Sequence, residues 1–236
     1  MSSKTWAAKR FWGDVFVVPL ERGFGVKLDQ RRVKTPAKAD LIVPTEGMAQ
    51  SIAAEWQAQV GVIKPQTMPF TRMANSAIDK VTMQFGDVAD FVAAYGASDL
   101  LCYRATHPEE LIDRQSTAWD PLLNWANQEL KAPLSITTGV MPIEQDPVSV
   151  STLRALVHEL GPFELAALHD LVAISGSLIL GLAVVRSRIT SEQAWCLSRI
   201  DECWQIEQWG PDDESVAAEA MRRSDLLFAG CFFELI

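Results

Sequence analysis

Residues 171–185, LVAISGSLILGLAVV, form a run of fifteen without a single charge. A bilayer-spanning helix needs about twenty apolar residues, and His169 and Asp170 stand immediately before the run. The segment therefore predicts a helix buried on all sides, which requires other helices to surround it. Ser175, Gly176, Ser177 and Gly181 within it would let those neighbours approach closely. Around the run, patterning predicts helices over 149–160, 162–187, 191–209 and 213–233, so the C-terminal part reads as helical throughout.

The N-terminal part has a different period. DVFVVPL and FGVKL flank ERG, a hairpin in which Gly23 takes a positive φ. LDQRRV reads as a second tight turn and ADLIVP as a further short strand. After Pro44 the spacing becomes helical: Met48, Ile52 and Trp56 recur every four residues behind a Thr45 cap. A second stripe runs from Phe70 through Met73, Ala77 and Val81 to Phe85, with Arg72, Asn75 and Asp79 on its polar side. A helix from Asp87 closes at Gly96. Thr106 and Glu109 form a capping-box pattern, and Asp120–Pro121 restarts a helix. Residues 132–147 read as an irregular connection. The expected fold is α+β: a small sheet-and-helix domain over 1–85, then a helical domain over 86–236.

Several function classes are disfavoured by composition. The net charge of −9 opposes binding to nucleic acid and to an anionic membrane, because both need Lys and Arg. The first residues, MSSKTWAAKRFW, contain no apolar signal core. Cys102, Cys196, Cys203 and Cys231 form no CxxC pair. Cys196 and Cys203 lie seven apart, on one helix face; reduced core thiols are the favoured reading over a metal pair. His107, His158 and His169 show no metal-ligand spacing, and no nucleophile elbow, Walker loop or complete dinucleotide fingerprint occurs. No catalytic residue, metal, nucleotide or other cofactor is expected. The enzyme alternative rests on the paired carboxylates Glu109–Glu110, Asp201–Glu202 and Asp212–Asp213–Glu214. Adjacent helical residues point about 100° apart, so such pairs do not converge.

The least ordinary stretch is DECWQIEQWGPDDE, residues 201–214, which has two tryptophans, six carboxylates and no Lys or Arg. On a continuous helix over 191–209, Cys196, Leu197, Ile200, Cys203 and Trp204 make one apolar face, and Ile200 and Trp204 serve packing. Trp195, Glu202 and Trp209, spaced seven and seven, share another face with Ile206 and Arg199. Either the terminal helix covers that second face, with Leu226, Phe228, Phe232 and Phe233, or it is left for a partner. Aromatic anchors beside a charge suit a binding hot spot, and an acidic field suits a basic partner.

The chain resembles the ATP-twelve family of assembly chaperones, which act on the alpha subunit of the F-type ATP synthase catalytic head. The resemblance is carried by KRFWGDVFV, GFGVKLDQRRVKTPAKADLIVPT, AAEWQAQ, MPFTRMANSAIDKV, SDLLCYRATHPEELIDRQSTAWDPLLNWA, SGSLILGLAV and DECWQIEQWGPDDE, over roughly residues 9–225. Gln30 is a departure, where a glycine is expected in the turn. The resemblance implies a small α+β domain, a helical domain, no catalysis, and an unassembled alpha subunit as the partner. Mapped onto this chain, it makes Glu202 and Trp209 client contacts, with Trp195 and Ile206 on the same face and Asp213 and Glu214 steering. Trp56, Trp204 and Ile200 become structural support, and Tyr103 and Arg104 a further candidate. The expected setting is a bacterial cytoplasm, or the mitochondrial matrix in a eukaryote.

Overall fold

A computed structural model describes residues 9–211 and 213–236; the side chains of residues 213–215 lie outside the description. The chain divides into two compact units, one reaching to Met83 together with Glu234–Ile236, the other Gln84–Phe233. The division falls just before Phe85 because that residue opens the first helix of the second unit, its ring edge-on to His158 at 6.2 Å.

In the first unit β1 (Val15–Leu20) and β2 (Gly23–Leu28) pair antiparallel, Val15 opposite Leu28. Gly23 closes the hairpin at φ +129°, as its position between the strands predicts. In the next turn Asp29, preceding Gln30, takes φ +54° and uses its carboxylate to accept from the amides of Gly13 (3.1 Å) and Asp14 (2.9 Å). Two short strands, β3 (Arg31–Arg32) and β4 (Ile42–Val43), both pair with β2.

Helix α1 (Glu46–Gln57) is capped by Thr45, whose hydroxyl accepts from the Met48 amide at 3.3 Å and donates to the Leu235 carbonyl. Its buried face, Met48, Ala49 and Ile52, packs on the sheet, where Val26, Leu28 and Val43 are buried in turn. Trp56 meets Trp12 edge-on at 5.3 Å. Helix α2 (Pro69–Ser76) lacks a cap of its own; the Glu55 carboxylate supplies one, accepting from the amides of Phe70 (2.7 Å) and Thr71 (2.8 Å) and the Thr71 hydroxyl (2.7 Å). Burial nonetheless raises the Glu55 pKa, those three donors only partly offsetting it. Asp79, on the wide turn after α2, accepts from Thr35 Oγ1 (2.6 Å) and Ala37 N (3.0 Å), so the polar side of this helix fastens the strand connection.

The second unit holds α3 (Phe85–Ala94), β5 (Tyr103–Arg104), α4 (Glu109–Glu129), β6 (Thr137–Thr138), α5 (Pro147–His158), α6 (Pro162–Ser175), α7 (Leu178–Val185), α8 (Ser191–Ser198), α9 (Ile200–Trp209) and α10 (Asp213–Glu234). Four expectations from the sequence are corrected. Helix α4 runs unbroken through Pro121 because Leu111, Gln115, Trp119, Leu122, Leu123 and Ala126 bury one continuous face, and that burial outweighs the amide bond the proline forfeits. The N-cap of α4 is Pro108 with no side-chain bond, while Thr106 pairs with His107 Nδ1 at 2.9 Å, so the capping box is absent. Helix 162–187 breaks: Gly176 enters the left-handed region at φ +74°, and Ser177 caps α7, accepting from Leu180 N at 3.0 Å. Helix 191–209 also breaks, after Ser198.

The apolar run still forms the core. Leu178, Ile179, Leu180 and Leu182 are almost wholly buried, each burial stabilising by about 1.5–3 kcal/mol. Gly181 sets how close α6 and α7 come: a Cβ there would lie 2.6 Å from Val172 Cγ2 and 2.9 Å from Leu168 Cδ1. No helix among the described residues is long and apolar enough to cross a membrane.

Candidate partner-docking surface

Helix α8 opens on a capping box, Thr190 Oγ1 accepting from Gln193 N (3.1 Å) and Gln193 Oε1 accepting from Thr190 N (2.9 Å). It ends where Ser198 turns its hydroxyl back onto the Trp195 carbonyl at 2.8 Å. Arg199 is non-helical (φ −115°, ψ 18°), and α9 restarts at Ile200. Helix α9 ends at Gly210, φ +84°, ahead of Pro211.

This break undoes the shared face expected for Trp195, Glu202 and Trp209. Seven-residue spacing aligns side chains only along an unbroken helix, and the interruption at Arg199 lies between the first two. Trp195 is 7% exposed and faces the core with Ala194 and Ser198, so it cannot present a surface to a partner. The Arg199 guanidinium lies over its ring at 5.4 Å. Trp209 is 79% exposed, and Ile206, one turn before it, is 36% exposed. Glu202 is partly exposed and paired with Arg199 at 2.5 Å; Arg199 also reaches Glu219 at 3.3 Å.

The expected apolar face of α8–α9 is corrected as well. Ile200 is buried, yet Cys196 and Cys203 are exposed, and Cys231 with them; only Cys102 is a core thiol. Burial pushes the Cys102 thiol up to about 12, with the Asp99 carboxylate adding to it. Trp204 is half-buried under the Arg114 guanidinium at 5.0 Å, and Arg114 forks onto both oxygens of Glu207 at 2.8 and 2.9 Å. This pairing lowers the Glu207 pKa and raises that of Arg114.

Two further bonds tie this region to α4: Gln115 Nε2 donates to Asp201 Oδ1 (2.6 Å) and Trp119 Nε1 to the Leu197 carbonyl (2.9 Å). The acidic stretch is therefore not an unpaired field. Asp201, Glu202, Glu207 and Glu219 each hold a partner; Arg199 lies three residues before Glu202, but the partners of Glu207 and Asp201 could not be found by spacing, because Arg114 and Gln115 are some ninety residues away in the chain. Asp212 lies outside the described residues, as do the side chains of Asp213 and Glu214 at the start of α10.

The carboxylate pairs behave accordingly. Asp201 and Glu202 turn to different partners, and Glu109 and Glu110 are exposed in the first turn of α4, where the helix dipole favours them. Arg104 is buried, donating to the Leu101 carbonyl (3.0 Å) and Asp120 (2.8 Å) over the Trp119 ring at 5.2 Å; it is a structural residue, not a contact. His158 pairs with Asp90 (2.6 Å) and His169 with Asp170 (2.9 Å). Among the described residues no His, Cys, Asp and Glu converge as a metal site. What α9 leaves open is a small apolar ledge, Ile206 and Trp209, beside Glu202.

Comparison with known proteins agrees with this architecture. The family model described as ATP12 chaperone protein matches residues 9–127. The crystal structure of Atp12 from Paracoccus denitrificans is 52% identical, with a TM-score of 0.94 over 97% of this chain and 98% of that one. An aspartate-to-lysine mutant of the same Atp12p gives the same identity and TM-score over 97% of both chains. The Atu1473 protein of Agrobacterium tumefaciens is 38% identical, TM-score 0.90, over 96% of this chain and 85% of that one. On both sequence and fold, this chain belongs to the ATP12 chaperone family.

Proposed function

We propose that the protein holds the unassembled alpha subunit of the F-type ATP synthase catalytic head and masks the surface that subunit later gives to the beta subunit. A lone subunit of a hetero-oligomer exposes a large apolar interface and aggregates through it. A binder that covers this interface without nucleotide acts by mass action, tightly enough to protect and loosely enough for the true partner to displace it. The observation that carries the reading is the α9 ledge on a chain of this family: Trp209 and Ile206 stand exposed beside Glu202 on a helix clamped to α4. Trp209 is the anchor, Ile206 extends it, and Glu202, Asp213 and Glu214 select a basic rim on the client. Trp195, Trp204, Ile200 and Trp56 support the fold. Exposed free thiols at Cys196, Cys203 and Cys231 suit a reducing compartment, a bacterial cytoplasm or a mitochondrial matrix.

The test is the affinity of purified alpha subunit for Trp209→Ala, Ile206→Ser and Glu202→Gln by titration calorimetry. Trp209→Ala should weaken binding at least about tenfold, in the range of interface hot spots, with circular dichroism unchanged. Glu202→Gln is preferable to Glu202→Lys, which would set a second cation against Arg199. Unchanged affinity in all three variants would remove the ledge from the client interface.

A further inference from the structure

The two units carry opposite charge. The first unit has twelve Lys and Arg against eight Asp and Glu, the second nine against 22. A basic unit attached to a strongly acidic one selects two kinds of surface, and the α9 ledge accounts for one.

The sheet of the first unit has a face that α1 leaves uncovered. Side chains alternate along a strand, and residues directly opposite across a pair share a face. Val26, Leu28 and Val43 point inward and are buried. The register then places Phe16, Lys27 and Arg32 in one row across β1, β2 and β3 on the outer face. Val18 and Leu20 follow on the same side: a Cβ on Gly25 would meet Leu20 Cδ1 at 3.0 Å and Val18 Cγ2 at 3.7 Å. Ile42, opposite Gly25, completes the set. Phe16 is 49% exposed, and Val18, Leu20 and Ile42 are partly exposed. Asp40 is the carboxylate serving both Arg32 (4.0 Å) and Lys34 (3.6 Å), so the rim keeps net positive charge.

We infer that this outer sheet face is a second docking surface, for a protein segment whose apolar side chains are flanked by carboxylates. The apolar floor supplies contact area and the Lys27, Arg32 and Lys34 rim supplies sign selection, the reverse of the selection at α9. The inference rests on the chaperone reading and deepens it: the client is gripped at an acidic patch by the first unit and at a basic patch by the second. A single-signed binder would slide on a client that carries both, whereas two opposite contacts fix its orientation.

The test uses the full-length protein and two amphipathic helical peptides, one of leucine, alanine and glutamate, the other with lysine in place of glutamate, read by fluorescence anisotropy. Each peptide reads its own site: the glutamate peptide should bind the sheet face and lose affinity with salt, and the lysine peptide should bind the α9 ledge. Phe16→Asp and Arg32→Glu should each weaken the glutamate peptide at least about tenfold with thermal melting and lysine-peptide affinity unchanged, while Trp209→Ala leaves the glutamate peptide bound as in the wild type. No binding of the glutamate peptide, or binding that Phe16→Asp and Arg32→Glu leave unchanged, overturns the inference. So does sedimentation of the wild type, but not Phe16→Asp, with phosphatidylglycerol vesicles, which would make the face a membrane contact. Self-association that Phe16→Asp abolishes would make it an interface between copies and overturns the inference equally. Because the peptides are independent of the alpha subunit, failure here leaves the α9 reading standing, whereas failure to bind alpha subunit with the glutamate-peptide results intact removes that client and leaves only the recognition chemistry of the face.

Discussion

Ser177 donates its hydroxyl to Asp99 Oδ1 at 2.7 Å, and both side chains are completely buried at the break between α6 and α7. The second oxygen of Asp99 accepts from Ile179 N at 2.9 Å, and Oδ1 also accepts from Leu101 N at 3.0 Å. One carboxylate thus serves two helical starts, the 3-10 turn Leu100–Cys102 that Asp99 itself caps and α7 in the middle of the apolar run. Burial raises its pKa from 3.8 to about 6, against the three donors that favour the charge.

A group whose folded pKa is raised stabilises fully below its unfolded value and loses that contribution as pH rises through the folded one. Asp99 should therefore favour the fold below about pH 4 and lose its contribution as pH rises through about 6, by up to about 3 kcal/mol. Urea titrations of wild type and Asp99→Asn at pH 5 and pH 7.5 isolate the effect. The wild type should gain stability relative to the variant at the lower pH, and equal changes in both proteins would reject it. Asp99→Ala, which strands the Ser177 hydroxyl and two amides, should cost about 2–4 kcal/mol at either pH.

Thiol accessibility gives a second check. Cys196, Cys203 and Cys231 are exposed and Cys102 is buried with its pKa near 12. A chromogenic disulfide reagent at pH 8 should titrate three thiols in the native protein and a fourth only in denaturant. Cys203 should react slowly among the three, since partial burial, and then Glu219 and Glu202, raise its pKa.

Two glycines should respond in opposite directions. Gly181→Ala drives a Cβ to 2.6 Å from Val172 Cγ2 and should cost about 1–3 kcal/mol. Gly86, in the first turn of α3, meets nothing within 4 Å and has an ordinary φ. Gly86→Ala should be neutral or stabilising by up to about 1 kcal/mol. Thermal melts of both variants test the pair.

The α9 clamp predicts a change in dynamics. Arg114→Ala removes the fork on Glu207 and uncovers the Trp204 ring. Amide hydrogen exchange should then rise along residues 200–209 and remain unchanged in α7. Uniform protection in α9 would mean that Gln115 and Trp119 suffice to hold it.

Much of the fold was legible because its signals are local. The Gly23 hairpin, the Thr45 cap and the charge-free run each depend on neighbours within a few residues, and the run could only be a core. The helix breaks were hidden by the residues that make them: Ser177 and Gly176 read as small packing residues until Asp99, 78 residues away, gives Ser177 a partner. The same distance problem hid the pairing of Glu207 with Arg114 and of Asp201 with Gln115. Trp209 could be singled out from Gly210 and Pro211, which end its helix. The break that turns Trp195 into the core could not be read, because Arg199 has no glycine or proline beside it to mark it. The opposite charges of the two units were in the sequence throughout, but acquire meaning only once the sheet register gathers Phe16, Lys27 and Arg32 into one row.

A chaperone that shields an orphaned alpha subunit without turning over any substrate should suppress that subunit's aggregation, which light scattering follows. Denatured alpha subunit is diluted into nucleotide-free buffer with increasing amounts of this protein. Scattering should be suppressed near one chaperone per subunit, with suppression relieved by added beta subunit and weakened by Trp209→Ala. Scattering that stays unchanged at equimolar protein, or that falls only when ATP is supplied and hydrolysed, would contradict the shielding role.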